Sequence, residues 1–429
     1  MSIKLEDIVK GCKDEHTEMY LCMFPFFHMY NDSKGKWALC CDSTSFDYSV
    51  NEFNSSEHFD HPEMHQIRQE MLTGKLDKAR SMCALCLNGE KMGLKTKRTE
   101  FNRFILNRRK PEENPLFQFI TDYGNGKRAD PFPGHRILDV KLRIFGNTCN
   151  LSCYMCQPFN SSSRIQELKK IRDGYWFDHV GGPTAFKVFD SADKYEDFVK
   201  DIHELIPFIR SIRIIGGEPF LLKKHYEFLD MVIATGHSEH IMLHYQTNLT
   251  KFDVGRERTA KYFNHFDSIR MLVSLDGVGP TNDYIRFGGN FDEIMDNIRY
   301  LKSHTRINMA IDTVISILNA GIVTDILSYF EEADLDVDLN LLTSPDFLQT
   351  QHLPEEIKEL YRRRIMDSPY LEKLGDMLNM MNREADPQKF QKFLAYIYDL
   401  DEARGTNLID LWPEFQAYYN PAIRELVSH

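Results

Sequence analysis

No cysteine follows residue 156 in this chain of 429 residues, so all nine lie in its first part. That asymmetry argues against a disulfide framework spread through the molecule; in a reducing compartment these residues are thiols or metal ligands. No run of residues is long and apolar enough to span a bilayer. The N-terminus, MSIKLEDIVKGCKDEH, is charged and lacks the apolar centre of a signal peptide, so the sequence reads as cytoplasmic, with no membrane partner. An excess of positive charge is missing too. A net charge of −12 argues against non-specific nucleic-acid binding by the whole surface, while leaving room for a local basic face. Internal repeats and low-complexity tracts are absent. What is present is an ordinary apolar share of 42%, enough for a substantial core in two or three domains, or in one large α/β barrel with an appendage.

The cysteines fall into two groups. Cys12, Cys22, Cys40, Cys41, Cys83 and Cys86 lie in the first 86 residues, and Cys149, Cys153 and Cys156 form the run CNLSCYMC. Such clustering points to two separate metal centres; scattered buried thiols suit Cys12 but fit the CxxC and CxxxCxxC spacings poorly. A structural zinc site is usually closed by four ligands. Three cysteines without an evident fourth suggest a centre with one position left free.

From about residue 137, β-rich runs alternate with segments of helical period. Strands are expected at 139–146, 211–217, 240–248, 269–277, 307–315 and 335–342, with helices such as YEFLDMVIATG and FDEIMDNIRYLKSH between them. Strands separated by helices imply parallel βαβ units in a barrel-like or an open doubly wound sheet. Both architectures place ligands at strand C-termini, where the cysteine trio falls. The first 130 residues read differently: short aromatic runs (MYLCMFPFFHMY), a turn at NDSKGK, one helix and then SMCALC. Pro/Gly-rich sequence around 110–137 reads as a linker, and helical patterns follow residue 346.

Thiolates at the density of the trio suit iron–sulfur ligation, and three of them can hold three irons of a [4Fe–4S] cube. CxxxCxxC after the first strand, with GGEP after the second, closely resembles the radical S-adenosylmethionine (SAM) superfamily. The resemblance implies Cys149, Cys153 and Cys156 as cluster ligands, with SAM chelated at the open iron. It implies that Gly216, Gly217, Glu218 and Pro219 receive the methionine amino group. VSLDG at 273–277 and Arg286 in NDYIRFGG resemble the fourth-strand segment, so Ser274 and Arg286 are expected near the SAM carboxylate and ribose. QTNLT at 246–250 matches the third-strand Thr-Asn element and offers Asn248 as a ligand, though Leu249 stands where the family usually has Gly. Met155 likewise takes the place of an aromatic before the last cysteine, with Tyr154 preceding it.

The N-terminal cysteines resemble a second pattern, the auxiliary-cluster module called twitch, a shortened relative of SPASM. Its matches are Cys22, Gly35, Cys40, Cys83, Cys86 and Glu90, and the four cysteines would complete a second, auxiliary [4Fe–4S] cluster. Cys40 and Cys41 compete for one place; the related spacing from the turn glycine selects Cys40. Four cysteines also make a tetrahedral zinc site, so zinc is the alternative metal. HPEMH at 61–65 has its Glu misplaced for a zinc protease and reads as a helix entrance. KTKRTEFNRFILNRRK at 95–110 carries seven basic residues, either a solvated face or a substrate footprint.

The expected architecture is α/β: a partial (β/α)6 TIM-like barrel at 137–345, an N-terminal twitch-like module at 1–110, a linker at 111–136 and a helical C-terminal region at 346–429. The resemblance implies reductive cleavage of SAM and hydrogen abstraction from a substrate, by analogy a peptide or protein, with an electron donor such as flavodoxin or ferredoxin. A nucleotide, sugar or nucleic acid is the alternative substrate, and a non-catalytic metal-stapled binding protein the alternative of another class.

Overall fold

The computed structural model describes residues 3–13, 19–32, 34–91, 95–108, 110–127, 139–143, 146–180 and 195–427. Its strands are β1 (His28–Asn31), β2 (Lys36–Ala38), β3 (Ser45–Ser49), β4 (Asp139–Leu142), β5 (Ser211–Ile214), β6 (Met242–Thr247), β7 (Ser268–Ser274), β8 (Ile307–Ile315) and β9 (Asp336–Leu341). They form one sheet in the order β3-β2-β1-β4-β5-β6-β7-β8-β9. From β4 to β9 every neighbour is parallel and consecutive, the order of a (β/α)6 partial barrel. Part of the first expected strand, at 144–145, lies outside the described residues.

The strands alternate, and the alternation separates two faces. Leu243 and Tyr245 on β6, and Ile269, Met271 and Val273 on β7, are buried. Tyr245 shows that this face meets the helices: its hydroxyl lies 2.9 Å from His225 Nε2 on the helix Lys223–Ala234, and its ring packs on Phe263. The opposite face is polar. There Gln246 Nε2 on β6 reaches Asp312 Oδ2 on β8 at 2.5 Å, passing over β7. Side chains two strands apart meet only across a concave surface, because each strand adds about 4.8 Å. Parallel sheets are ordinarily apolar on both faces. Here the concave face carries charge and hydrogen-bonding groups.

The N-terminal module is continuous with the barrel sheet. β1 pairs in parallel with β4, His28 opposite Asp139, and β2 and β3 extend it in antiparallel fashion. The NDSKGK turn closes between β1 and β2, where Lys34 N donates to Asp32 Oδ1 at 2.7 Å and Gly35 takes φ 75°. A buried knot ties the junction: Asp139 accepts from His28 Nδ1 at 2.7 Å, Ser211 Oγ at 2.5 Å and Arg213 Nε at 3.1 Å.

The expected linker needs correction in its first half. Asn114 caps a helix, Pro115–Gly124, whose Phe117 and Ile120 are fully buried. Proline at the first helical position and an Asn cap start this helix, so the Pro-rich composition marks a helix entrance there. The rest of that stretch, 128–138, lies outside the described residues. HPEMH is a helix entrance as expected, with His61 capping Pro62–Thr73. The basic segment forms the helix Lys97–Arg108, and its Arg98 is buried inside the module rather than presented to solvent.

Candidate active site

The loop that carries Cys149, Cys153 and Cys156 leaves the C-terminal end of β4 and is clasped from three sides. Ser152 N donates to Phe287 O at 2.9 Å and Tyr154 N to Ile285 O at 3.0 Å, which docks the loop on the segment after β7. On another side Glu218 N donates to Thr148 O at 2.7 Å. Gly217 there has φ 56°, and a Cβ would lie 2.3 Å from Thr148 O, so only glycine allows the two loops to touch. The third clasp comes from the C-terminal region, where Arg404 Nη2 donates to Ser152 O at 2.5 Å and Tyr396 Oη to Tyr154 O at 2.7 Å.

The three thiols feel one another. Burial pushes Cys149 up to about 11, and the neighbouring Cys153 adds to the rise. Cys156 is driven well above the usual thiol range by burial and then by Cys153 and Cys149, and Cys153 is raised chiefly by burial. Two donors aim at the sulfurs: Asn248 Nδ2 lies 3.6 Å from Cys149 Sγ, and Arg286 Nη1 lies 3.9 Å from Cys153 Sγ. Such donors complement the negative charge of a thiolate-bound cluster. The donor set therefore suits a [4Fe–4S] cube. Among the described residues, no three His, Cys, Asp or Glu side chains are already arranged to hold a metal ion.

The remaining motif residues gather round the same loop. Glu218 is fully buried and accepts from Thr247 Oγ1 and Asn248 N, both at 2.7 Å, and from Phe220 N at 3.3 Å. Its carboxyl, pushed up to about 7 by burial, ties the β5 loop to the β6 loop. Pro219 is buried behind it, and Gly216, at φ 97°, would bring a Cβ within 3.1 Å of Arg143 Cγ and Gly146 O. Ser274 ends β7 in register with Asp312 of β8. Arg286 is held by Asp276, with Nε 2.7 Å from Oδ2, and Asp276 is itself fully buried and accepts from Val314 N at 2.7 Å. Asp276 was legible only as part of VSLDG, because its partners lie on other elements. Tyr154, fully buried beneath the loop, donates to Asp401 Oδ1 at 3.1 Å instead of lining the open side.

In the N-terminal module Cys22, Cys40, Cys83 and Cys86 line one pocket together with Phe24 and Arg98. Cys41 is exposed outside it. Burial raises all four pocket thiols, Cys83 to about 12. Glu90 explains how distant segments converge: it receives Arg98 Nε at 2.9 Å and Nη2 at 2.7 Å, while Arg98 Nη1 donates to Leu21 O at 2.8 Å. One arginine thus latches the helix bearing Cys86 to the segment bearing Cys22.

Residues 144–325 match the family described as the Radical SAM superfamily. Among curated proteins, the sporulation killing factor maturation protein SkfB of Bacillus subtilis (strain 168) is 23% identical over 293 residues, 65% of this chain and 62% of SkfB. The chain thus matches less than two thirds of that relative's length. Among solved structures, native anSMEcpe with bound AdoMet is 19% identical over 63% of this chain and 67% of its own, with a TM-score of 0.37. SuiB of Streptococcus suis bound to S-adenosylmethionine is 12% identical over 72% and 62%, with a TM-score of 0.36.

Proposed function

We propose that this chain, whose residues 144–325 match the Radical SAM superfamily, is a radical SAM enzyme that holds a [4Fe–4S] cluster on Cys149, Cys153 and Cys156 and uses it with SAM to abstract hydrogen from a peptide or protein. The observation that carries this reading is the convergence of the trio with Asn248 and Arg286 at the strand C-termini of a domain that matches the family. When bound, the cluster and SAM supply reductive cleavage to methionine and a 5′-deoxyadenosyl radical. The protein's own residues bind and orient. Gly216 and Gly217 let the loop after β5 press against the cysteine loop, Glu218 ties it to the loop after β6, and Ser274 and Arg286 would meet the SAM carboxylate and ribose. A macromolecular substrate is supported by SkfB, a relative named for the maturation of a killing factor.

The pocket of Cys22, Cys40, Cys83 and Cys86 is read as the seat of an auxiliary [4Fe–4S] cluster, with no iron left open for SAM. A cytoplasmic setting and a flavodoxin or ferredoxin as donor belong to the same reading. Reconstitution under anaerobic conditions tests it. With dithionite and SAM the protein should form 5′-deoxyadenosine and carry roughly eight irons per chain if each centre is a cube. Replacing Cys149, Cys153 and Cys156 by Ala should abolish cleavage, and unchanged cleavage would overturn the assignment. Cys83→Ala with Cys86→Ala should halve the iron; zinc in that place would make the module a structural staple.

A further inference from the structure

Lys141, Arg213, His244 and Arg270 stand directly beside one another on β4, β5, β6 and β7. Paired residues of adjacent parallel strands point to the same face, so the four side chains form one row about 14 Å long. It lies on the concave face, since the alternating residues Ile212, Leu243, Tyr245, Ile269 and Met271 are buried against the helices. Like charges directly opposite in a sheet are destabilising. A fold with no use for this row gains nothing from keeping it.

The row is incompletely answered from within. Arg213 reaches Asp139 at 3.1 Å, and Lys141 Nζ sits 5.4 Å from the centre of the Tyr30 ring. Arg270 is exposed, and among the described residues it has no ion-pair or hydrogen-bond partner. Across the concavity the sign reverses. Asp336 and Asp338 on β9 are exposed and share the face of Asp312, which accepts from Gln246 and from Asn340 Nδ2 at 2.7 Å.

We propose that this concave face binds a peptide segment bearing several carboxylate side chains, which lie along Lys141, Arg213 and Arg270 and select the segment presented to the Cys149–Cys156 loop. The inference rests on the peptide reading above and names its substrate class. A phosphate group is a poorer occupant, because it needs cations converging on one point rather than strung across four strands. A polyanion such as nucleic acid would also face Asp336 and Asp338 at close range, whereas a peptide can offer carboxylates to one wall and donors to the other.

The test uses the full, reconstituted chain and fluorescein-labelled peptides: a Gly/Ser-rich sequence with four Glu, and its twin with Gln at those positions. By fluorescence anisotropy at low salt the Glu peptide should bind about tenfold more tightly than its twin, the gap narrowing as salt is raised. Arg270→Glu should erase that preference and Arg270→Gln should reduce it. Arg363→Glu, an equal charge change on the exposed face of the helix Glu355–Met366, should leave it within about twofold. Equal binding of the two peptides overturns the proposal, as does an equal effect of Arg363→Glu. So does an oligodeoxythymidylate that binds more tightly than the Glu peptide and loses affinity in Arg270→Glu. SAM cleavage by the unmodified chain is scored separately. Peptide selectivity without cleavage sinks the catalytic reading alone, and cleavage without selectivity sinks this one alone.

Discussion

Leu249 holds φ at 52°, a left-handed conformation, in the segment that positions Asn248 beside Cys149. The family usually has Gly at this place, and the backbone here keeps the conformation glycine would favour. For a non-glycine residue that costs about 1–2 kcal/mol. The compensation is burial, since the Leu249 side chain is fully enclosed. Removing a buried leucine side chain costs about 2–5 kcal/mol, more than the strain it carries. Leu249→Gly should therefore destabilise the protein by about 1–3 kcal/mol despite relieving strain, read as a lower denaturant midpoint with unchanged slope. At this scale the motifs were legible because each is a local string. Their internal partners were not: GGEP gave Glu218 as a contact for an ammonium, whereas its carboxyl is taken up by Thr247 and the Asn248 and Phe220 amides. Those partners sit on another strand or depend on turn geometry, which spacing does not encode.

Among the elements, the six barrel strands were readable because β-rich runs of four to nine residues are separated by segments of helical period. β1, β2 and β3 were not, being three to five residues long and set among aromatics that suit a core equally well. The helix Pro115–Gly124 was hidden by its own entrance sequence. The helix Lys223–Ala234 shows what packing adds to a readable pattern. It buries His225 against Tyr245, and burial alone pushes the imidazole down to about 3 from the usual 6.5 or so. The folded chain thus keeps His225 neutral, and between those values the unfolded chain binds the extra proton. Stability held above pH 6.5 is lost as pH falls through this window, by about 2–3 kcal/mol at pH 4.5 from this residue. His225→Gln should be less stable at neutral pH yet lose less between pH 7 and 4.5. Denaturant titrations of both proteins at the two pH values measure the difference, and parallel losses would contradict the assignment.

On the scale of the whole molecule, both flanking regions complete the barrel instead of hanging from it. β1 covers the edge of β4, an edge that would otherwise present unpaired backbone groups to other chains. The C-terminal helix Pro387–Arg404 sits under the cysteine loop, a role its amphipathic pattern announces only as a buried face somewhere. Asp401 is the hub of that contact. Its Oδ1 accepts from Tyr154 Oη at 3.1 Å, Tyr284 Oη at 2.8 Å and Thr406 Oγ1 at 2.5 Å; its Oδ2 accepts from Leu408 N at 2.7 Å and Tyr419 Oη at 2.5 Å. Tyr154 links the hub to the loop, and Tyr284 links it to the segment that carries Arg286. Replacing Asp401 by Ala strands several buried donors at once, each costing about 1–3 kcal/mol unless water enters. Asp401→Ala should therefore lower the thermal midpoint and, with the two clusters proposed above reconstituted, let a chelator strip iron from the trio faster, while iron at the four-cysteine pocket is retained. Asp401→Asn should fall between, because the amide retains one acceptor and turns a donor towards donors. Iron release timed after chelator addition, with Cys83→Ala/Cys86→Ala protein isolating the trio's signal, reads this directly. A rate unchanged by Asp401→Ala would mean that the C-terminal helix supports the fold without bracing the loop.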